Sequence, residues 1–353
     1  MLIYHIDPAY LAAPSYPECA NSAQQHIENV IELGRLVREA LGLRVTCSSV
    51  ILEQLSVIGS FPMRNALRDM LDVYGLIGVF SVEDLVKLYN RLLDMAQPLT
   101  DVSAMAETEL ISCVLLPDPF HKLSPSDLAT FSRVSAGQVG AIGVIEQGAQ
   151  AVYGSSISAP SAAGMCVGVT LTDRVSLGAV PVSGSFSVKR TILAENRPAD
   201  FARNIDALAV WKLAEDPKEL HLAIAVRVIE LCQQAGEPIG YFEVPRFFVG
   251  SEFMPSLFAN QGIRDGAFSS VVLDTCARVV MGRPKSHIRD FLNGGAPSRR
   301  RADDASARRT HITGKGLALR LLFWETSGRV ELANIGVKHE LAIQEGSVQD
   351  RVG

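Results

Sequence analysis

Apolar positions in the first hundred residues recur at helical spacing. A short strand is expected at LIYHI, residues 2–6. Beyond it Ile27, Val30, Ile31, Leu33, Val37 and Leu41 fall three or four apart and predict a helix opening near Ser22, with a break near Gly34. Leu52, Leu55 and Ile58 predict a second helix, and FPMRNALRDMLDVYGL a third that ends at Gly75. SVEDLVKLYNRLLDMAQ opens with Ser81 three residues before Asp84, as in a capping box. Together these stripes predict a helical region used for packing or protein contacts.

The period changes near Thr100. ISCVLLP is a continuous apolar run closed by proline, the pattern of a buried strand, and SPSDLATFSRV restarts a helix with Ser124 or Ser126 as its cap. Residues 154–187 are rich in Gly, Ser, Ala and Val, and within them VGVTL and SFSVKRTIL predict strands on long loops. DPKELHLAIAVRVIELCQQAG carries the strongest helix signals: Asp216 as cap, Pro217 in the first turn, Glu219 completing the box and Gly236 as stop. A strand at FEVPRFFVG, a helix at SEFMPSLFANQ and another at AFSSVVLDTCARVVMG follow.

The end of the chain reads as a Pro/Gly/Arg loop, NGGAPSRRRADDASARR, then a hairpin turning at Thr326-Ser327-Gly328. In its first strand Leu317, Leu319, Leu321 and Phe323 fall on one face, and Ala318, Arg320, Leu322 and Trp324 on the other. A hairpin is marginal alone and must pack on the preceding helix. The expected fold class is therefore α+β: a helical N-terminal region, a mixed α/β middle and a C-terminal helix with a β-hairpin. The expected domains are 1–99, 100–265 and 266–353, as suits a 353-residue chain that exceeds a usual single core.

Composition narrows the class. Hydrophobic residues are 48%, charged residues 20% and aromatics only 7%, which predicts a globular chain with a largely aliphatic core. Apolar runs are too short for a membrane span, and MLIYHIDPAY lacks the basic and long apolar regions of a secretion signal. The six cysteines contain no C-x-x-C pair, so neither a zinc site nor a disulfide framework is expected, and a reducing cytoplasm is.

The net charge of −5 conceals an asymmetry. Between Arg283 and Arg320 stand ten Lys/Arg against three Asp/Glu, a local +7 on a body of −12. Arg283, Lys285, Arg289, Arg299, Arg300, Arg301, Arg308, Arg309 and Lys315 are the candidate phosphate contacts. Arginine outnumbers lysine eight to two in this window, which favours forked recognition of phosphate or carboxylate. The bland alternative is a solvated loop whose arginines pair with Asp303, Asp304 or acidic patches elsewhere.

Motifs that would name a reaction fail position by position. Gly314-Lys315 is no P-loop, because Arg309 stands where the first glycine belongs and Gly316 where a hydroxyl does. The glycines near 154–164 form no G-x-G-x-x-G, and GSSIS is no nucleophile elbow. His339-Glu340 lacks the second histidine of a zincin, His221 reads as structural, and Pro117-Asp118 is only half of a Mg²⁺-nuclease pattern. No metal and no cofactor is expected.

The helix ending in CARVVMG, the arginine loop, RRTHITGKGLALRLLFWE and SGRVELANIGVKHEL together resemble the C-terminal ends of poorly characterised proteins from bacterial anti-phage defence loci, over roughly 75 residues. The hairpin ALRLLFWETSGRVELANIGVKHE is also similar to the closing strands of RelE/ParE-type toxins. That resemblance implies action on messenger RNA or a target protein by a strand arginine and a basic or histidine residue near the C-terminus, here Arg320 with Lys338 and His339. Arg320 is alternatively an ion-pair partner of Glu331 across the hairpin.

The leading expectation is a non-catalytic accessory component of a bacterial defence system. Its N-terminal part would assemble with a protein of the same operon, and its basic C-terminal module would contact DNA or RNA backbone. The alternatives are a metal-independent ribonuclease using His311, Arg320 and His339, and a scaffold that meets an acidic partner.

Overall fold

The computed structural model describes residues 1–13, 20–102, 109–116, 120, 123, 126–145, 149–155, 165–172, 175–177, 180–182, 186–293, 295–300, 302–314, 318–340, 342–346 and 348–353. The fold is α+β, and contacts divide the chain into two units, Leu2–Phe201 and Ala202–Gly353. The division falls inside the expected 100–265 segment.

In the first unit, β1 (Leu2–Ile6), α1 (Pro8–Leu11) and α2 (Ala20–Glu39) lead to β2 (Leu43–Cys47). Then come α3 (Ile51–Val57), α4 (Arg64–Val73), α5 (Val82–Met95), β3 (Gln97–Pro98) and α6 (Leu99–Val102). The unit continues through β4 (Glu109–Leu116), α7 (Ser126–Ile145), β5 (Gln150–Gly154), β6 (Met165–Thr172), β7 (Val175–Leu177), β8 (Val180–Val182) and β9 (Phe186–Glu195). The sheet order is β3-β2-β1-β5-β9-β6-β4, with β7 and β8 paired separately.

The N-terminal helices thus share a sheet with the middle of the chain, because β1 pairs in parallel with both β2 and β5. All five residues of β1 are buried, as expected of a parallel strand covered on both faces. LRVTC, which forms β2, was not among the expected strands. Its five residues sit between longer helical stripes, and its place comes from β1, where His5 Nδ1 meets Thr46 Oγ1 at 3.0 Å.

Helix α2 runs unbroken through Gly34. A β-carbon there would strike the Leu88 side chain, so the glycine permits close approach of α2 and α5 rather than interrupting the helix. Ser81 Oγ accepts from Asp84 N at 3.3 Å, the start expected for α5. Of the two caps expected for α7, Ser126 is its first residue and Ser124 lies outside the described residues, as does Pro117-Asp118.

At the carboxyl ends of β1 and β5, where open α/β sheets commonly bind ligands, the chain uses its own groups. Asp7 Oδ1 accepts from Ser132 Oγ at 2.6 Å and from Ala9 N at 2.9 Å.

The second unit begins with α8 (Ala207–Leu213) and α9 (Pro217–Gln234). Asp216 caps α9 through Glu219 N at 2.8 Å, while the Glu219 carboxylate reaches Glu215 N rather than closing a box on the cap. Then follow β10 (Phe247–Val249), α10 (Phe253–Ala259), α11 (Ser269–Val280), β11 (Arg289–Asp290), β12 (Leu292–Asn293), β13 (Ala296–Pro297), β14 (Ser306–His311), β15 (Arg320–Thr326) and β16 (Arg329–Gly336). The expected arginine loop therefore contains the β12–β13 hairpin, and its last residues begin strand β14.

A five-stranded sheet, β10-β16-β15-β14-β11, carries the hairpin at its centre, with Ser327 and Gly328 at positive φ in the turn. Helices α10 and α11 pack on this sheet. Leu322 and Trp324 are nonetheless as buried as Leu321 and Phe323. They form an apolar cluster with Phe291, Ala305, Ala307 and Ala333, against which Ile343 packs, and Trp324 Nε1 donates to Gln344 O at 2.9 Å.

Candidate phosphate-binding site

Most of the described cations of the basic block are already neutralised. Arg283 pairs with Glu237 at 2.9 Å and Arg299 with Asp304 at 2.8 Å. Lys285 reaches Asp274 at 2.6 Å. Burial alone would raise the Asp274 carboxyl, but hydrogen bonds from Lys285, Arg227 and Arg278 override it and hold the group at about 2. Arg308 lies between Asp290, its cross-strand neighbour, and Glu325 at 2.9 Å. Arg301 and Lys315 lie outside the described residues.

Arg300 belongs to the interior. Only 1% exposed, it grips Glu331 with two bonds of 2.6 and 2.8 Å and Asp303 with two of 2.8 and 2.6 Å. Its guanidinium stands 5.2 Å from the Trp324 ring centre. A forked, desolvated pair of this kind leaves no donor for a phosphate. Glu331 also accepts from Arg351 at 3.1 Å, so the carboxylate considered for Arg320 is held by two other arginines.

The remaining cations converge. In β14, Arg309 and His311 are two residues apart and so share a face. Arg289 on β11 stands opposite Arg309, and Arg320 on β15 stands opposite His311. One rung therefore sets arginine opposite arginine, a like-charge pair that is usually destabilising by about 0.2–1 kcal/mol, and the neighbouring rung adds a third guanidinium opposite His311. Among the described residues no carboxylate forms an ion pair with Arg289, Arg309 or Arg320. The one hydrogen bond of the Arg320 side chain runs from Nη1 to Lys338 O at 3.0 Å, and its Nε is buried without an acceptor.

These side chains, with His287 and Thr310, line a narrow notch. His287, Arg289 and His311 are shared with an adjoining cleft of about 600 Å³ bounded also by Lys285, Ser286 and Ile288. Thr310 Oγ1 donates to Ser286 O at 3.1 Å and ties the cleft wall to the sheet. Burial lowers the His311 pKa, and the fields of Arg320, Arg289, Arg309 and Lys338 lower it further, so the imidazole is neutral at pH 7. Burial and the neighbouring Arg309 and Arg289 lower the Arg320 pKa without removing its charge.

No protein family, curated protein or solved structure matches the chain. The resemblances of the C-terminal residues therefore rest on their sequence pattern alone.

Four expected site residues thus meet, Arg289, Arg309, His311 and Arg320, while Arg283, Lys285, Arg299, Arg300 and Arg308 are held elsewhere or by carboxylates. His339 is exposed in the turn after β16 and does not line the notch. His287 and Thr310 were missed. The signal for the set was the alternation Arg309-x-His311, which has meaning only once SARRTH is read as a strand. His221, expected to be structural, is half-buried and stacked on Phe247 at 4.1 Å between ring centres. Among the described residues no three His, Cys, Asp or Glu side chains gather as metal ligands, and no helix is long and apolar enough to cross a membrane.

Proposed function

We propose that residues 202–353 contact the phosphate backbone of nucleic acid through Arg289, Arg309, His311 and Arg320, and that the chain is a non-catalytic accessory component of a bacterial defence system. The observation that carries the first part is the Arg289–Arg309 like-charge rung with Arg320 beside it, none of the three paired with a carboxylate among the described residues. A sheet that sets arginine opposite arginine, while pairing Arg308 on its other face with two acids, keeps those charges for an outside anion. The defence role is supported by the resemblance of the C-terminal residues. A protein partner is supported by exposed apolar side chains between α3 and α5, among them Leu52, Val57, Met63, Val73, Ile77 and Val79.

The test is a salt titration of binding to single- and double-stranded DNA and RNA. Affinity should fall steeply with salt, and Arg309→Ala should reduce the slope of log affinity against log salt by about 1, one phosphate contact. Arg299→Ala, on an exposed pair away from the notch, should leave the slope unchanged. Salt-insensitive binding, or an unaltered slope in Arg309→Ala, would sink the proposal. A protein that shows no nucleic acid in its absorbance ratio and binds only an acidic partner would instead be the scaffold.

A second reading is favoured by the His311–Arg320 pair. A neutral imidazole opposite a fixed guanidinium can take a proton from a ribose hydroxyl while the cation stabilises charge on the phosphate, as a metal-independent ribonuclease requires. Labelled RNA should then be cut in the presence of EDTA, and about a hundredfold or more slower by His311→Ala. RNA left intact across a pH series removes this reading and leaves the binding one.

A further inference from the structure

Resting on the nucleic-acid reading above, we infer that the notch seats the terminal phosphate of a strand, a monoester end, in preference to an internal phosphodiester. Three permanent cations, Arg289, Arg309 and Arg320, and one protonatable imidazole surround a single small notch. An internal linkage brings one negative charge, whereas a phosphomonoester carries about −1.5 to −2 at pH 7. An extended backbone would meet cations strung along a groove. Here they are stacked on two adjacent rungs, and the other described arginines of the block, Arg283, Arg299, Arg300 and Arg308, face carboxylates.

The unfilled hydrogen-bonding capacity points the same way. Arg320 Nε is a buried donor lacking an acceptor, on a side chain that lines the notch. The monoester offers three terminal oxygens to the donors of Arg289, Arg309 and Arg320, where a diester offers two. Beside the notch the cleft of about 600 Å³ has the size expected for a nucleoside. Ile288 presents an exposed apolar surface in that cleft, and Ser286 and Lys285 supply polar edges. A strand end fits this arrangement, its phosphate in the notch and its last nucleoside alongside.

A dianion would also restore the His311 proton. The group is kept neutral by burial and by Arg320, Arg289, Arg309 and Lys338, and a bound phosphate offsets those fields. Among these elements the described acidic side chains nearest in register, Asp290 and Glu325, are occupied by Arg308.

The experiment compares one short single strand in three forms: 5′-phosphorylated, 3′-phosphorylated and with hydroxyls at both ends. Binding of the full chain is followed by fluorescence anisotropy, in DNA and in RNA. At least one phosphorylated form should bind about tenfold or more tighter than the hydroxyl form, and Arg309→Ala should erase the difference. Arg289→Ala, at an exposed position, is the second variant should the first fold poorly. Equal binding of all three forms, lost in the variants, overturns the end-specific inference and leaves backbone contact standing. Binding of none of the forms overturns the nucleic-acid reading itself. Competition by a nucleoside monophosphate as strong as by the phosphorylated strand would mark a small-molecule site and also overturn the inference.

Discussion

Replacing Arg300 by alanine should destabilise the C-terminal unit by about 3–5 kcal/mol, the usual result of stranding one partner of a buried ion pair. Glu331 is 4% exposed and receives two of the Arg300 bonds, and Asp303 receives two more. Arg351 reaches Glu331 at 3.1 Å but adds a single bond, so it compensates only in part. The loss would also remove the cation from the Trp324 ring and open space beside the Leu322 and Trp324 cluster. Thermal unfolding should show it as a large fall in the Tm of one transition. Arg300→Met combined with Glu331→Leu should recover much of the loss, because burying neither charge avoids the desolvation penalty, and Asp303 keeps Arg351. An Arg300→Ala protein that melts like the parent would refute this account and return Arg300 to the set of candidate phosphate contacts.

Acid should weaken both units well above the range in which carboxylates titrate. Burial lowers His5 to about 3 and His26 and His221 to about 4, against an ordinary value near 6.5. In the unfolded chain these groups take up protons below about pH 6.5, whereas in the folded chain they stay neutral down to the lowered values. The unfolded state therefore binds more protons across that window, and stability falls as pH falls through it. At about 1.4 kcal/mol per unit, each histidine can remove on the order of 2 kcal/mol between pH 6.5 and 5. Calorimetric scans between about pH 7.5 and 5 should show both transitions moving down. His5 and His26 act on one unit and His221 on the other. Replacing His221 by Phe, which keeps the stack on Phe247, should flatten the dependence of its own transition. Flat stability over this range would sink the assignment.

Much of the secondary structure was legible because its signals are local. The Asp216-Pro217 start and Gly236 stop of α9, the Ser81 cap of α5 and the Thr326-Ser327-Gly328 turn need only neighbours in the chain. LRVTC escaped because two buried apolar residues in five give too short a pattern, and the partner strand that selects it lies forty residues earlier. Gly34 misled for a related reason. Locally a glycine weakens a helix, but its purpose here is contact with Leu88, more than fifty residues away.

The candidate site divides in the same way. Composition located a surplus of positive charge between Arg283 and Arg320, and that is a property of the sequence by itself. So were the α+β class, the hairpin and the failure of every nucleotide and metal motif. Which cations remain open to an outside anion was decided only by the tertiary structure. Strand register set Arg309 beside Arg289 and His311 beside Arg320, and the same register put Arg308 next to Asp290. Burial took Arg300 into the core, although it stands between Arg299 and Arg301 in an apparently uniform run. Charge can be counted along a chain, but its neutralisation depends on distance, and the carboxylates that neutralise these arginines are brought to them by folding.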